Sequence, residues 1–280
     1  MKTNLTNYEQ FFRDIPQKGL TYAAEHTLAL GFNAVEFLCY TLSPDFDVKE
    51  AKEVLAAYGL PVSCFSVGIN LYAKEKEDMQ RAEEALCRYG EIAATLGSPF
   101  LHHTLFLPLK FPTAAPTYEE VAEPVLESVA RIVRYCQGLG VTCLYEPQGM
   151  YFNGAGFSRF FEELHRLYPS VGVCGDVGNP LFVDAAPEAI FLKHAKDVKH
   201  VHLKDYAVAN APFEKGTFYP TLGGRYLQTA VLGEGAVALD ACVAALRQVG
   251  YTGAFSLETS GEDEILSRSI AAADALLKTT

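Results

Sequence analysis

Five times along this chain an amphipathic stretch of helical period runs into a glycine and then into a short apolar segment. The junctions are Leu30-Gly31 before residues 33–37, Tyr58-Gly59 before 61–67, Leu96-Gly97 before 99–104, Leu139-Gly140 before 141–146 and Val249-Gly250 before 253–258. A glycine just past a helix end accepts the left-handed conformation in which helices commonly terminate, so each junction marks a helix giving way to a strand. Ala82, Ala85, Leu86, Tyr89, Ile92, Ala93 and Leu96 keep helical spacing, as do Val121, Val125, Val129, Ile132, Val133 and Cys136. Thr117-Tyr118-Glu119-Glu120 reads as a capping box opening the second of these helices.

Residues 171–176 and 198–204 add two strands, with a helix expected over 187–196 between them. Seven strands then alternate with helices, and an eighth must come from the first dozen residues. Residues 3–12 are polar and poorly patterned, so that strand is expected to be short or irregular. Alternation of this kind means a parallel sheet, doubly wound or closed. No G-x-G-x-x-G turn follows the first strand, which disfavours the open dinucleotide-binding sheet. The expectation is an α/β chain folded as a (β/α)8 barrel, one domain over residues 1–280 without a linker.

The polar exceptions to the pattern carry the chemistry. In Lys199-His200-Val201-His202-Leu203-Lys204-Asp205, period-2 alternation sends His200, His202 and Lys204 to one face and Val201 and Leu203 to the other. Three other strands end in carboxylates, at Glu146, Asp176 and Glu258. In a parallel barrel all strand C-termini open on one face, so these side chains converge although successive members of Glu146, Asp176, His202 and Glu258 lie 30, 26 and 56 positions apart. A single strand-end carboxylate is most often just solvated. Four metal-capable groups directly after apolar runs make a joint site the better reading. Three carboxylates and an imidazole form a hard oxygen-and-nitrogen set suited to one divalent ion, Mn²⁺ foremost, with Mg²⁺, Co²⁺ or Zn²⁺ as alternatives. Without a cation, three like charges would repel one another. His200 fits a supporting role better than ligation, and His102 and His103, on opposite faces of the fourth strand, leave substrate contact open for either.

The net charge of -11 and the absence of a basic cluster argue against a nucleic-acid partner and for a small neutral or weakly charged substrate. No apolar run is long enough to cross a bilayer and the first residues lack a signal sequence, so a soluble cytoplasmic protein is expected. Seven scattered cysteines without a C-x-x-C pair speak against disulfides and zinc knuckles. Three strand-to-helix connections, 106–116, 147–156 and 205–235, fall on the face where barrel active sites sit. The last, about thirty residues against a usual loop of roughly five, is a candidate lid.

At these residues the chain resembles the xylose isomerase-like TIM barrels, in particular the sugar isomerase/epimerase group that includes D-tagatose 3-epimerase-type and inosose dehydratase-like enzymes. The matching pieces are Gly31 to Glu36, Glu146, Asp176-Val177-Gly178-Asn179, His200 to Asp205, Gly233-Glu234-Gly235 and Gly253 to Glu258. The resemblance implies a divalent metal held by Glu146, Asp176, His202 and Glu258, with Glu146 and Glu258 also exchanging a proton with the carbon beside a substrate carbonyl. Many such epimerases carry a histidine where this chain has Asn179, which can bond a hydroxyl but cannot trade a proton at neutral pH. Glu36 and Lys204 are read as substrate contacts, each with a buried ion pair as the rival reading, and Arg225 as a group that could meet an anionic substrate.

The leading expectation is thus a metal-dependent isomerase or epimerase of a small sugar or polyol ketone, acting through an enediolate. The same intermediate could instead lose a β-hydroxyl, making a dehydratase of an inosose or a dehydroshikimate-like acid. A non-catalytic sugar-binding barrel is a third alternative. An apurinic endonuclease would want more metal ligands and a basic surface. Association into a homo-oligomer is expected only by analogy with other barrels.

Overall fold

A computed structural model describes residues 4–42, 46–108, 116–259 and 263–278. Eight parallel strands close a barrel: β1 (Leu5–Asn7), β2 (Ala34–Leu38), β3 (Val62–Val67), β4 (Phe100–His103), β5 (Thr142–Tyr145), β6 (Gly172–Asp176), β7 (Val198–Leu203) and, last in the chain, a strand over Phe255–Leu257. The helices around it are α1 (Glu9–Lys18), α2 (Leu20–Ala29), α3 (Val48–Ala57), α4 (Lys76–Leu96), α5 (Tyr118–Gly138), α6 (Gly154–Leu167), α7 (Pro187–His194), α8 (Leu239–Gln248) and α9 (Asp263–Lys278). The five junction glycines all take positive φ, from 66° at Gly59 to 89° at Gly31, as a left-handed helix stop requires. The capping box at Thr117 and Glu120 is formed in both directions.

The first strand is short, as its polarity foretold. Three residues suffice because both neighbours hold them: Thr6 lies opposite Ser256 on one side and Ala34 on the other, closing the barrel. The candidate lid is not a loop. Within residues 205–235, three short strands, β8 (Tyr206–Ala209), β9 (Tyr219–Pro220) and β10 (Tyr226–Thr229), form an antiparallel sheet in the order β8-β10-β9. The Phe255–Leu257 strand is therefore β11. Much of the connection expected over 106–116 lies outside the described residues.

Alternation on the strands sorts the core into two environments. Val201 and Leu203 point outward into the main hydrophobic cluster with the helices. Inward, Cys64, Leu144 and Cys174 pack with Phe100 as an apolar floor. Two residues nearer the C-terminal mouth the same strands present Ser66, Glu146, Asp176 and His102, all buried. The inner barrel is thus apolar below and polar above.

Asp205, at the end of β7, ties the excursion to the barrel. Its buried carboxylate accepts from the backbone N–H of Tyr206, Gly233, Gly235 and Val237 at 2.8–3.0 Å, gathering both ends of the insert. A Cβ at Gly235 would lie 2.2 Å from Asp205 Oδ1, so only glycine allows the approach. Asp205→Ala should strip two buried and two part-buried donors of their acceptor and cost about 3 kcal/mol or more. A thermal-denaturation midpoint lowered by several degrees, with Asp205→Asn intermediate, is the expected outcome; an unchanged midpoint would refute the anchoring role.

Candidate active site

The deepest polar group is Glu36, on β2, fully buried inside the barrel. Its Oε1 accepts from Ser66 Oγ and from His202 Nε2 at 3.0 Å; its Oε2 accepts from Ser256 Oγ and from His200 Nε2 at 2.7 Å. A carboxylate only accepts, so both histidines carry their proton on Nε2. Burial works against the charge of Glu36, but the two imidazoles outweigh it and hold the carboxyl well below its usual range. Burial keeps His200 below its ordinary value, consistent with a neutral donor.

The other ring nitrogen of His202, Nδ1, faces carboxylates; burial works against a charge on this imidazole, but the acidic groups around it, Cys174 and Glu36 first, raise it well above its ordinary value. Nδ1 stands 3.3 Å from Glu146 Oε2, 3.4 Å from Glu258 Oε2 and 3.8 Å from Asp176 Oδ2. Neither Nδ1 of His202 nor Oε2 of Glu146 has a hydrogen-bond partner, although both are buried. A proton on Nδ1 can answer one of these carboxylates, whereas a divalent cation in its place could answer all of them. Glu146, Asp176 and His202 each offer one atom to a common point, all within 4.8 Å of one another. Such a set fits a hard divalent cation, with Glu258 at its open side.

Each ligand-capable group is also held from behind. Asp176 Oδ1 accepts from the N–H of Gly178 at 2.8 Å and of Asn179 at 2.6 Å, which turns Oδ2 inward. Ser66 Oγ lies 3.0 Å from His102 Nδ1, and His102 Nε2 stands 3.4 Å from Glu146 Oε1. Burial opposes ionisation of Glu146, yet His102 and His202 outweigh it and keep the carboxyl low. Lys204 Nζ bridges Glu258 Oε1 at 2.8 Å, Asp176 Oδ2 at 2.9 Å and Asn179 Oδ1 at 3.1 Å. Burial would discharge the lysine, but Asp176 and Glu258 raise it well above its usual value. Glu258 keeps 29% of its side chain exposed, and burial pushes it up to about 7 against the pull of Lys204 and His202. The two glutamates therefore differ: Glu146 is fixed as an anion, while Glu258 sits where a proton can come and go.

Two adjoining cavities meet at this cluster. The inner one, about 200 Å³, is lined by His102, His202, Glu146 and Glu258. The outer one, about 470 Å³, shares Tyr8, Leu38, Leu107, Gln148 and Glu258 with it and extends past Asn179 and Lys204 under Tyr206 and Tyr219. The ring of Tyr8 stacks on His202 at 5.1 Å and 17°.

Of the residues singled out in the sequence, Glu146, His202, Glu258, His102, Asn179 and Lys204 line one or other cavity, and Asp176 stands beside Glu146 and His202 without lining either. Two do not join them. Glu36 was expected to meet a substrate hydroxyl, but its oxygens are taken by four protein donors and it borders neither cavity. Arg225 was expected to be able to meet an anion, but its Nε is held 2.8 Å from Asp184 Oδ1 and it lines neither cavity. His103 faces away from the site, packed edge-on against Tyr145 at 5.0 Å. Sequence reasoning missed Tyr8, Ser66 and Gln148. Tyr8 follows directly on β1 and Gln148 comes three residues after β5 ends, so the strand-end rule that found the carboxylates could have found them.

No curated protein matches the chain at the sequence level. Solved structures do match in fold. An L-ribulose 3-epimerase superposes with a TM-score of 0.78 at 17% identity, covering 99% of this chain and 95% of the other. An IOLI protein with a bound zinc atom gives 0.76 at 15%, covering 98% of each chain. A D-allulose 3-epimerase from Methylomonas sp. gives 0.74 at 16%, covering 99% of this chain and 98% of the other. Among the described residues no helix is long and apolar enough to cross a membrane. Residues 24–278 match the sequence profile of the xylose isomerase-like TIM barrels, and the chain belongs to that family.

Proposed function

We propose that the chain is a divalent-metal-dependent isomerase or epimerase of a sugar or polyol ketone. The observation that carries this reading is the buried, unpartnered Nδ1 of His202 facing Glu146, Asp176 and Glu258 beside a small chamber. Glu146, Asp176, His202 and Glu258 would hold the ion, Mn²⁺ foremost, with Mg²⁺, Co²⁺ and Zn²⁺ as alternatives. When bound, it would polarise the substrate carbonyl and make the neighbouring C–H acidic. The similar structures include one described in complex with magnesium and one with zinc.

In this reading Glu146, held as an anion, removes the proton beside the carbonyl, and Glu258, raised to about 7, returns one from the other side. Lys204, on Glu258 and Asp176, and His102, on Glu146, hold the two carboxylates apart and meet the oxygens of the enediolate. Asn179 contributes a hydroxyl contact. One observation favours a dehydratase as the second reading: Glu258, raised to about 7, borders both cavities, where it could protonate a departing hydroxyl. A ketose carried through in heavy water separates them, since epimerisation keeps the skeleton with deuterium incorporated and elimination gives an enone.

Metal loading is expected to raise the thermal midpoint of the chain. A ligand at a hundred times its dissociation constant adds about 2.7 kcal/mol. His202→Ala should abolish both the Mn²⁺-dependent rise and the metal retained after dialysis, as read by calorimetry and elemental analysis; undiminished retention would remove His202 from the ligand set. Glu258→Gln should slow carbon-bound proton exchange by about a hundredfold or more, measured by NMR in heavy water. Exchange at the unaltered rate would sink the two-carboxylate mechanism.

A further inference from the structure

The outer cavity is larger than a simple sugar needs, and aromatic and aliphatic side chains make up about half of its lining. The inner chamber, about 200 Å³, holds the reacting groups; the outer, about 470 Å³, lies within the range of about 300–1,000 Å³ that drug-sized ligands fill. Phe12, Leu38, Leu107, Phe182, Tyr206 and Tyr219 form much of its wall. Phe182 is braced edge-on by Tyr206 at 5.6 Å and tilted against Tyr219 at 5.8 Å, so these rings make a fixed surface. Aromatic faces of this kind receive flat apolar groups in offset or edge-to-face contact.

Charge points the same way. Among the described residues lining the outer cavity Lys204 is the only cation, and its ammonium is spent on Asp176, Glu258 and Asn179. Glu9 and Glu258 add negative charge to the same wall. Arg225, which could have answered a phosphate, is drawn off by Asp184. Two unpartnered polar atoms stand at or beside the junction of the chambers. Asn179, 5% exposed, has an unpartnered Nδ2 donor, and Gln148 has an unpartnered Oε1 acceptor. One donor and one acceptor suit a hydroxyl or ring oxygen at the boundary between a sugar and its substituent.

We propose that the substrate is a neutral hydroxy-ketone carrying an aromatic substituent, the hydroxy-ketone entering the inner chamber and the aromatic ring lying against Phe182 and Tyr219 in the outer one. The orientation rests on the reading of the inner chamber given above. Among the described residues of that wall no uncommitted cation faces a phosphate ester.

The test is calorimetric binding of matched pairs, on the unmodified chain with Mn²⁺ and in parallel on Glu258→Gln, where turnover does not consume the ligand. The first pair is the methyl and phenyl glycosides of 3-keto-glucose; the second is fructose and fructose 6-phosphate. The phenyl glycoside should bind about tenfold or more tightly than the methyl one, Tyr219→Ala and Phe182→Ala should each bring that ratio toward unity, and the phosphate should bring no gain. A ratio near one, no binding of the phenyl compound at millimolar concentration, or a tenfold gain from the phosphate overturns the proposal. A phenyl preference without solvent exchange supports the subsite and counts against the enediolate chemistry. Exchange without a phenyl preference does the reverse.

Discussion

Everything at the mouth of this barrel depends on one carboxylate buried beneath it. Glu36 gathers Ser66, His200, His202 and Ser256, and so links β2, β3, β7 and β11 across the barrel interior. A buried anion costs several kcal/mol to desolvate, and that cost is met only when its lone pairs are filled, as here. In return the geometry of His202 is settled. The proton on Nε2 is claimed from below, and Nδ1 is turned upward with the ring clamped under Tyr8. A histidine held this way is oriented to bind something electron-poor, because the carboxylate behind it raises its basicity.

The charges above Glu36 do not balance by themselves. Glu146, Asp176 and Glu258 face one ammonium, that of Lys204, and imidazoles whose protons are already partly committed. Lys204 answers two of the carboxylates from one side, and the remaining negative potential is concentrated between His202 and Glu146. The asymmetry separates the roles of two chemically identical glutamates. Glu146, between two imidazoles, is the better anion; Glu258, partly exposed and crowded by Asp176 and Glu146, holds its proton nearer neutrality. Two acid-base groups whose environments push them apart are what proton transfer to and from one carbon requires.

The parallel strands and the convergence of Glu146, Asp176, His202 and Glu258 were legible in the sequence because both follow from local rules: the glycine stop, the period of two, and the common polarity of the strands. What escaped depends on contacts remote in the chain. The alternation of β2 places Glu36 inward, but whether an inward residue meets substrate or protein depends on Ser66, His200 and Ser256, 30 to 220 positions away. Arg225 looked free because its partner, Asp184, is 41 residues earlier. The polar first strand could not be recognised by its own pattern, since its place is fixed by β2 and β11 rather than by burial of alternating side chains. Likewise the sheet within residues 205–235 depends on Asp205 collecting donors from both ends of the segment.

The same structure divides chemistry from selectivity. The reacting groups stand on barrel strands or immediately beyond them, where a change of position would disturb the interior network. Part of the outer wall stands instead on the small antiparallel sheet and on the turn carrying Phe182, joined where Asp184 accepts from Arg225, Thr221 and Gly223. Asp184 adopts a left-handed φ of 55°, which few side chains other than asparagine and aspartate tolerate, and the backbone of Leu222 donates to Phe182 O at 2.8 Å beside it. The latch fixes Phe182 and Tyr219 relative to each other without touching a ligand-capable residue. Alteration of the sheet or the latch should therefore reshape the outer cavity while Glu36 continues to hold His202, which separates what the barrel reacts with from how it reacts.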